Sequence, residues 1–351
     1  MAVLSLASAQ SAGLPARVEL AALPTPLTQA PRLAAYLGLG LLHIKRDDLT
    51  GFAVGGNKAR SLEFLIADAR QQGADTLVTG GAAESNFVVC AAAAARRAGL
   101  SCHLVIAGEP PEHAPGLDLA RSWGASVAWT GAAERASVDD GLPAVAAGLA
   151  ARGHRTYVVP RGGATALGAV GYVLAAAELH DQLTARGLRR ARVVVAVGSG
   201  CTLAGLVAGN ALLGWPWRLL GASVSRPPDE THRRVLELAR GCLALLADSG
   251  WVGRDAARRA ASVVRGSGVE LVDARGPGHG LASEEGRQAA DAALRTEGLL
   301  VDPVYTAKAL AALRRRADEP VVVFWHTGGL LGAVSEAAAV PGSAATEVPL
   351  P

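Results

Sequence analysis

Asp47-Asp48-Leu49-Thr50-Gly51-Phe52-Ala53-Val54-Gly55-Gly56-Asn57-Lys58 is a glycine-rich turn that delivers one lysine into the start of an amphipathic segment. The chain holds 34 Lys plus Arg, yet lysine stands only at Lys45, Lys58 and Lys308. Where arginine supplies nearly all the positive charge, a lysine kept after such a turn suggests a task closed to an always-protonated guanidinium: Schiff-base formation or proton transfer. A solvated lysine beyond a turn is the competing reading.

A second chemical stretch is Gly198-Ser199-Gly200-Cys201-Thr202-Leu203-Ala204-Gly205, between a β-branched run and a helical pattern. Backbone N–H groups at such a helix start, with the Ser199 and Thr202 hydroxyls nearby, suit a phosphate dianion. No Gly-Lys-Ser/Thr follows, so the loop is not a P-loop. Its glycines approach the dinucleotide-binding spacing, but the ribose-binding acid expected about 20 residues on is replaced by Ser223, Ser225 and Arg226. Arg226 suits a 2′-phosphate, which keeps an NADP-binding oxidoreductase open.

Ser85-Asn86 opens another helical pattern, where the helix dipole and free N–H groups suit a substrate carboxylate; a plain helix cap is the alternative. In Leu299-Leu300-Val301-Asp302-Pro303-Val304-Tyr305-Thr306-Ala307-Lys308 a strand end broken by Pro303 would present Tyr305 and Thr306 at a sheet edge. Tyr305 reads equally as a half-buried core tyrosine. Gly276-Pro277-Gly278-His279-Gly280 and His326-Thr327-Gly328-Gly329 each bring a histidine into a glycine-rich turn, where a structural histidine is the ordinary expectation.

The elements that must position these residues alternate. Strand patterns at 41–45, 76–79, 103–106, 126–129, 156–159, 192–197 and 321–325 are separated by helical spacing at 59–72, 87–98, 117–123, 139–152 and 167–186. The 192–197 run is continuously β-branched or apolar, as a parallel strand buried on both faces requires. The class is α/β, with two open, mostly parallel twisted sheets and flanking helices.

With 351 residues the chain has room for one large or two moderate domains. Half of it is hydrophobic and 19% charged, which argues against disorder. The net charge of +3 comes from interleaved Arg, Asp and Glu without a basic aromatic stripe, so nucleic acid is not expected as a partner. Cys90, Cys102, Cys201 and Cys242 lack metal-ligand or disulfide spacing and read as core thiols. Residues 1–14 lack the basic start of a secretion signal, and no apolar run is long enough for a bilayer. A cytoplasmic protein with a flexible start and a flexible Pro/Gly/Ala-rich end at 340–351 is expected.

Lys45-Arg46-Asp47-Asp48-Leu49-Thr50-Gly51, Gly55-Gly56-Asn57-Lys58, Ser85-Asn86, Val197-Gly198-Ser199-Gly200, Asp302-Pro303-Val304-Tyr305-Thr306 and His326-Thr327-Gly328-Gly329 together resemble the D-cysteine desulfhydrase and 1-aminocyclopropane-1-carboxylate (ACC) deaminase family. The resemblance runs in order over residues 27–337. It implies a pyridoxal 5′-phosphate (PLP) enzyme of the tryptophan synthase β fold, acting on a small amino acid, and a homodimer. It implies a small substrate-contacting domain at 61–171 and a large PLP-binding domain from 1–60 plus 172–351.

By that similarity Lys58 holds PLP, with Asn57 and Asn86 beside the cofactor and Gly198, Ser199, Gly200, Cys201 and Thr202 around its phosphate. Ser85 contacts the substrate carboxylate, Tyr305 stands over the ring, and Thr306 faces the pyridine nitrogen. ACC deaminases generally carry glutamate where Thr306 stands. A neutral hydroxyl makes the ring a weaker electron sink, adequate when a good leaving group departs from Cβ. The resemblance thus implies a lyase releasing ammonia and a 2-oxo acid by αβ-elimination, with ring opening, racemisation or a non-catalytic PLP-binding role as alternatives. Three positions depart from the family pattern: Glu84 in place of the usual glutamine, Phe87 where it has His or Gln, and His279 in place of a second tyrosine. Phe87 cannot exchange a proton, whereas His279 can, as a catalytic residue or by tuning substrate choice.

Overall fold

The computed structural model describes residues 12–266, 268–278, 280–313 and 319–339. His279, and the expectations for 1–11 and 340–351, lie outside the described residues. The strands are β1 Leu27–Gln29, β2 Leu41–Arg46, β3 Thr76–Gly81, β4 Ser101–Ile106, β5 Ala125–Trp129, β6 Thr156–Val158, β7 Ala191–Val197, β8 Trp217–Ser223, β9 Glu270–Asp273 and β10 Val321–His326. A six-stranded sheet runs β1-β2-β10-β7-β8-β9 and a four-stranded sheet β5-β4-β3-β6. Every pairing is parallel except β1 with β2.

Residue type explains the layering. Along β7 all seven residues are buried, and alternate side chains serve opposite cores. Val193 and Val195 pack towards helices Ala166–Thr184 and Cys201–Leu212, while Val194 and Ala196 face the core built by helices Pro31–Leu37, Glu284–Glu297 and Thr306–Leu313. In the smaller sheet Leu77, Leu104 and Ile106 meet helices Lys58–Gln71 and Asn86–Ala98. Val78 and Val105 meet helix Ala136–Ala150 on the other face. Helix Lys58–Gln71 packs into the small-sheet core through Leu62, Leu65 and Ile66, yet also lies against helix Ala166–Thr184. Its first residue is therefore at the seam between the sheets.

One expected strand is absent: residues 299–302 are irregular and run through a turn into helix Thr306–Leu313. Asp302 explains the break. Its carboxylate accepts from the backbone N–H of Val304, Tyr305 and Thr306 at 3.1, 2.8 and 2.9 Å, closing the chain on itself where a strand would offer those groups to a neighbour.

Among the described residues no helix is long and apolar enough to cross a membrane.

Candidate active site

The carboxyl ends of β3, β7 and β10 and the turn after β2 converge on a cavity of about 320 Å³, lined by Lys58, Ser85, Asn86, Ser199, Tyr305 and Thr327 among others. Ligands of open α/β sheets bind at this edge.

Three contacts deliver Lys58. The Asn57 N–H donates to Thr327 O at 2.9 Å, fixing the turn on the end of β10. The Asn57 carboxamide donates to Thr202 Oγ1 at 2.8 Å, and Tyr172 donates to Asn57 O at 2.9 Å. Gly56 makes the approach possible: its φ is +99°, and a Cβ there would lie 3.0 Å from Thr327 O.

Below the turn, Arg60 bridges Asp47 and Glu178. Its Nε and Nη2 donate to Asp47 at 2.9 and 2.8 Å, and Nη1 and Nη2 each donate to Glu178 at 3.0 Å. Lys45 is ion-paired with the same glutamate, and Trp325 donates to Asp47 Oδ2 at 2.8 Å. All four charged side chains are buried. Burial alone would raise Asp47 and Glu178, but the Arg60 and Lys45 charges outweigh it and hold both carboxyls below their usual range.

The three lysines separate cleanly. Lys45 Nζ donates to Thr25 O at 2.7 Å and Gln182 Oε1 at 2.8 Å besides Glu178. Lys308 Nζ donates to Arg275 O at 2.7 Å and Gly278 O at 3.0 Å. Only Lys58 lines the cavity, and its ammonium has no hydrogen bond or ion pair among the described residues. Burial pushes its pKa down. Burial also raises Cys90 to about 12 and Cys201 to about 11, so both thiols stay neutral and give Lys58 no counter-charge.

Across the cavity, β7 ends in the Gly198–Gly200 turn and helix Cys201–Leu212 begins. The first-turn N–H groups have no intrahelical acceptor. Gly198 keeps the space open, since a Cβ there would stand 3.0 Å from Tyr305 Cε1. Gly198, Ser199, Gly200 and Thr202 line the cavity, whereas the Cys201 thiol turns away to Gly163 O at 3.4 Å, leaving its backbone as the contribution. Ser85 stands at the N-cap of helix Asn86–Ala98 without making a side-chain cap bond, so its hydroxyl is not consumed as a plain cap. Ser85, Asn86 and the buried Phe87 all line the wall.

Tyr305 lines the cavity too, and burial, aided by the nearby Asp302, raises its phenol to about 12. It is a proton donor across neutral pH. Thr306 is different. It is fully buried, donates to Asp302 Oδ1 at 2.5 Å and accepts from Asp302 N–H at 2.7 Å, and it is not part of the cavity wall. The wall residue at that edge is Thr327. His326 is structural: Gly328 N–H donates to Nδ1 at 3.2 Å, so the ring donates from Nε2 to Leu300 O at 2.6 Å.

Sequence reasoning singled out neither Thr327 nor the arginines Arg135, Arg161 and Arg234 of the wall, and it read Arg226 only as a 2′-phosphate site. Thr327's place after a strand was the available signal; the arginines had none in so arginine-rich a chain.

A free, burial-depressed lysine facing a glycine turn with unspent N–H donors fits PLP, whose aldehyde and phosphate need those two partners. The fold and site define a PLP-dependent enzyme. Residues 18–328 match the pyridoxal-phosphate dependent enzyme family, and the chain belongs to that family. The dinucleotide reading of the 198–205 loop falls with that finding. The chain is 39% identical over 332 residues to D-cysteine desulfhydrase of Salmonella choleraesuis and 38% identical to that of Salmonella paratyphi C, each match covering 89% of this chain and 94% of the relative. The crystal structure of an ACC deaminase homologue superposes with a TM-score of 0.81 at 31% identity, over 95% of this chain and 96% of the other. A threonine deaminase shares the fold at TM-score 0.63 and 22% identity, over 87% and 92%.

Proposed function

We propose that this enzyme eliminates the β-substituent of a small amino acid, D-cysteine or a close relative, releasing ammonia and a 2-oxo acid. The carrying observation is the one uncommitted lysine in the cavity, joined to similarity with D-cysteine desulfhydrases over 89% of the chain.

Bound PLP supplies the electron sink that makes the substrate's α-proton acidic. Lys58 would hold the cofactor and would take the substrate's α-proton, a role that burial favours by lowering its pKa. The N–H groups of Gly198 to Thr202 receive the phosphate, with Asn57 bracing Thr202. Ser85 and the first turn of helix Asn86–Ala98 orient the substrate carboxylate, and Asn86 flanks the ring. Tyr305 donates a proton to the leaving group. Thr327, the threonine of the wall at that edge, would offer the ring nitrogen a neutral hydroxyl, while Thr306 fastens Asp302. His279 tunes the choice of substrate.

The division into a small domain at 61–171 and a large domain from the remainder is part of this reading, supported by the four-stranded sheet spanning only 76–158. So are a homodimer, which the family resemblance supports, and a cytoplasmic location. ACC ring opening is the second reading, favoured by the 31% identity to the ACC deaminase homologue and opposed by the higher, 39% identity to a D-cysteine desulfhydrase.

Incubating the PLP-loaded enzyme with D-cysteine, L-cysteine, O-acetylserine enantiomers and ACC separates these readings. Sulfide and 2-oxo acid in equal amounts from D-cysteine are expected. Product from ACC alone, or from no substrate, contradicts the elimination.

A further inference from the structure

Four arginines line the cavity: Arg135 and Arg161 from the side of the small sheet, Arg226 and Arg234 from the side of the large one. They sense one another electrostatically, which is costly for like charges unless anions share the space. Three are engaged. Arg161 grips Asp139 through two hydrogen bonds of 2.8 and 2.5 Å. Arg226 donates to Gly198 O at 2.9 Å and pairs with Glu230 at 3.0 Å, and Arg234 donates to Ser199 O at 2.9 Å. The last two thus brace the carbonyl side of the turn whose N–H groups suit the cofactor phosphate.

Arg135 is left over. Among the described residues its single bond runs from Nη2 to Ser225 O at 3.1 Å, and no carboxylate lies within ion-pair distance, Glu230 acting on it only from farther off. Its Nε and Nη1 have no acceptor among the described residues, and Tyr305, the proposed proton donor to the leaving group, lines the same cavity and is its electrostatic neighbour. A half-buried guanidinium in that position recognises an anion with two or more acceptor oxygens.

We infer that Arg135 binds an anionic β-substituent of the substrate, so that this enzyme takes β-substituted alanines whose leaving group carries a sulfate, phosphate or carboxylate. The inference rests on the elimination reading. In that reaction the Cα–H and Cβ–X bonds break and X departs with its electron pair. Water then hydrolyses the resulting enamine, giving pyruvate, ammonia and, for serine O-sulfate, inorganic sulfate.

The test compares kcat/KM for serine O-sulfate with that for uncharged β-chloroalanine, both as the enantiomer the holoenzyme processes. Arg135→Gln should lower the sulfate-to-chloride ratio about tenfold or more, the loss expected for a charge-assisted hydrogen bond. Arg135→Lys should regain part of it. An unchanged ratio, or equal loss on both substrates with weakened PLP retention, overturns the proposal in favour of a cofactor or structural role. If neither compound is turned over, the elimination reading fails. Calorimetric binding of serine O-sulfate to wild-type and Arg135→Gln holoenzyme then decides Arg135 alone: weaker binding by the variant supports it, and equal binding refutes it.

Discussion

The Asn57 carboxamide donates to Thr202 Oγ1 at 2.8 Å, joining the residue before the cavity lysine to the first turn of the helix that faces it. Both residues are buried, so the bond fixes the spacing between the lysine and the phosphate loop. Asn57→Ala removes a buried donor and should cost about 1–3 kcal/mol of stability. It should also weaken PLP retention. Denaturant unfolding and a cofactor-release assay check both; full retention would show that the spacing is set elsewhere.

Tyr305 is protonated up to about pH 12, because burial and the neighbouring Asp302 disfavour the phenolate. Tyr305→Phe keeps the ring and removes the proton. The expected result is a fall in kcat of about 10²-fold or more on D-cysteine with the PLP spectrum intact, the size typical of a lost general acid. An unchanged kcat would remove Tyr305 from the chemistry.

Lys58 must be neutral to attack the aldehyde of PLP, and burial lowers its pKa from the ordinary value of about 10.4. Less alkali then suffices to deprotonate it. The rate of PLP capture by apoenzyme should rise with pH through a midpoint below the ordinary lysine value; a midpoint at or above the ordinary value would contradict a desolvated amine.

Arg60 sits between two carboxylates, so Arg60→Met leaves buried negative charge uncompensated and should cost about 3–5 kcal/mol. The pH dependence has a definite sign. Asp47 and Glu178 are held below their usual range, so their contribution is complete above about pH 5 and is lost as pH falls through their lowered values. Unfolding free energies at pH 7 and pH 3 should converge between wild type and variant; a constant difference would place the network's effect outside titration.

Much of this was legible in the sequence. The β7 run announced a strand buried on both faces, and the turns at Gly55-Gly56 and Gly198 to Gly200 stood out as glycine-rich loops that the fold brings to one cavity. The apolar residues of 299–302 suit a strand, but the side-chain clasp of Asp302 on the next backbone turn overrides that preference. Thr306 was legible as a family position, but its burial depends on the same clasp. Arg135 shows the limit: an arginine without a charged partner can be recognised only once the fold brings Arg161, Arg226 and Tyr305 around it.

Under the proposed function Lys58 alone carries the cofactor. Borohydride reduction of the PLP-loaded enzyme, followed by peptide mapping, should place the adduct on Lys58, and Lys58→Ala should give none. An adduct on Lys45 or Lys308, or one that survives Lys58→Ala, would contradict the account.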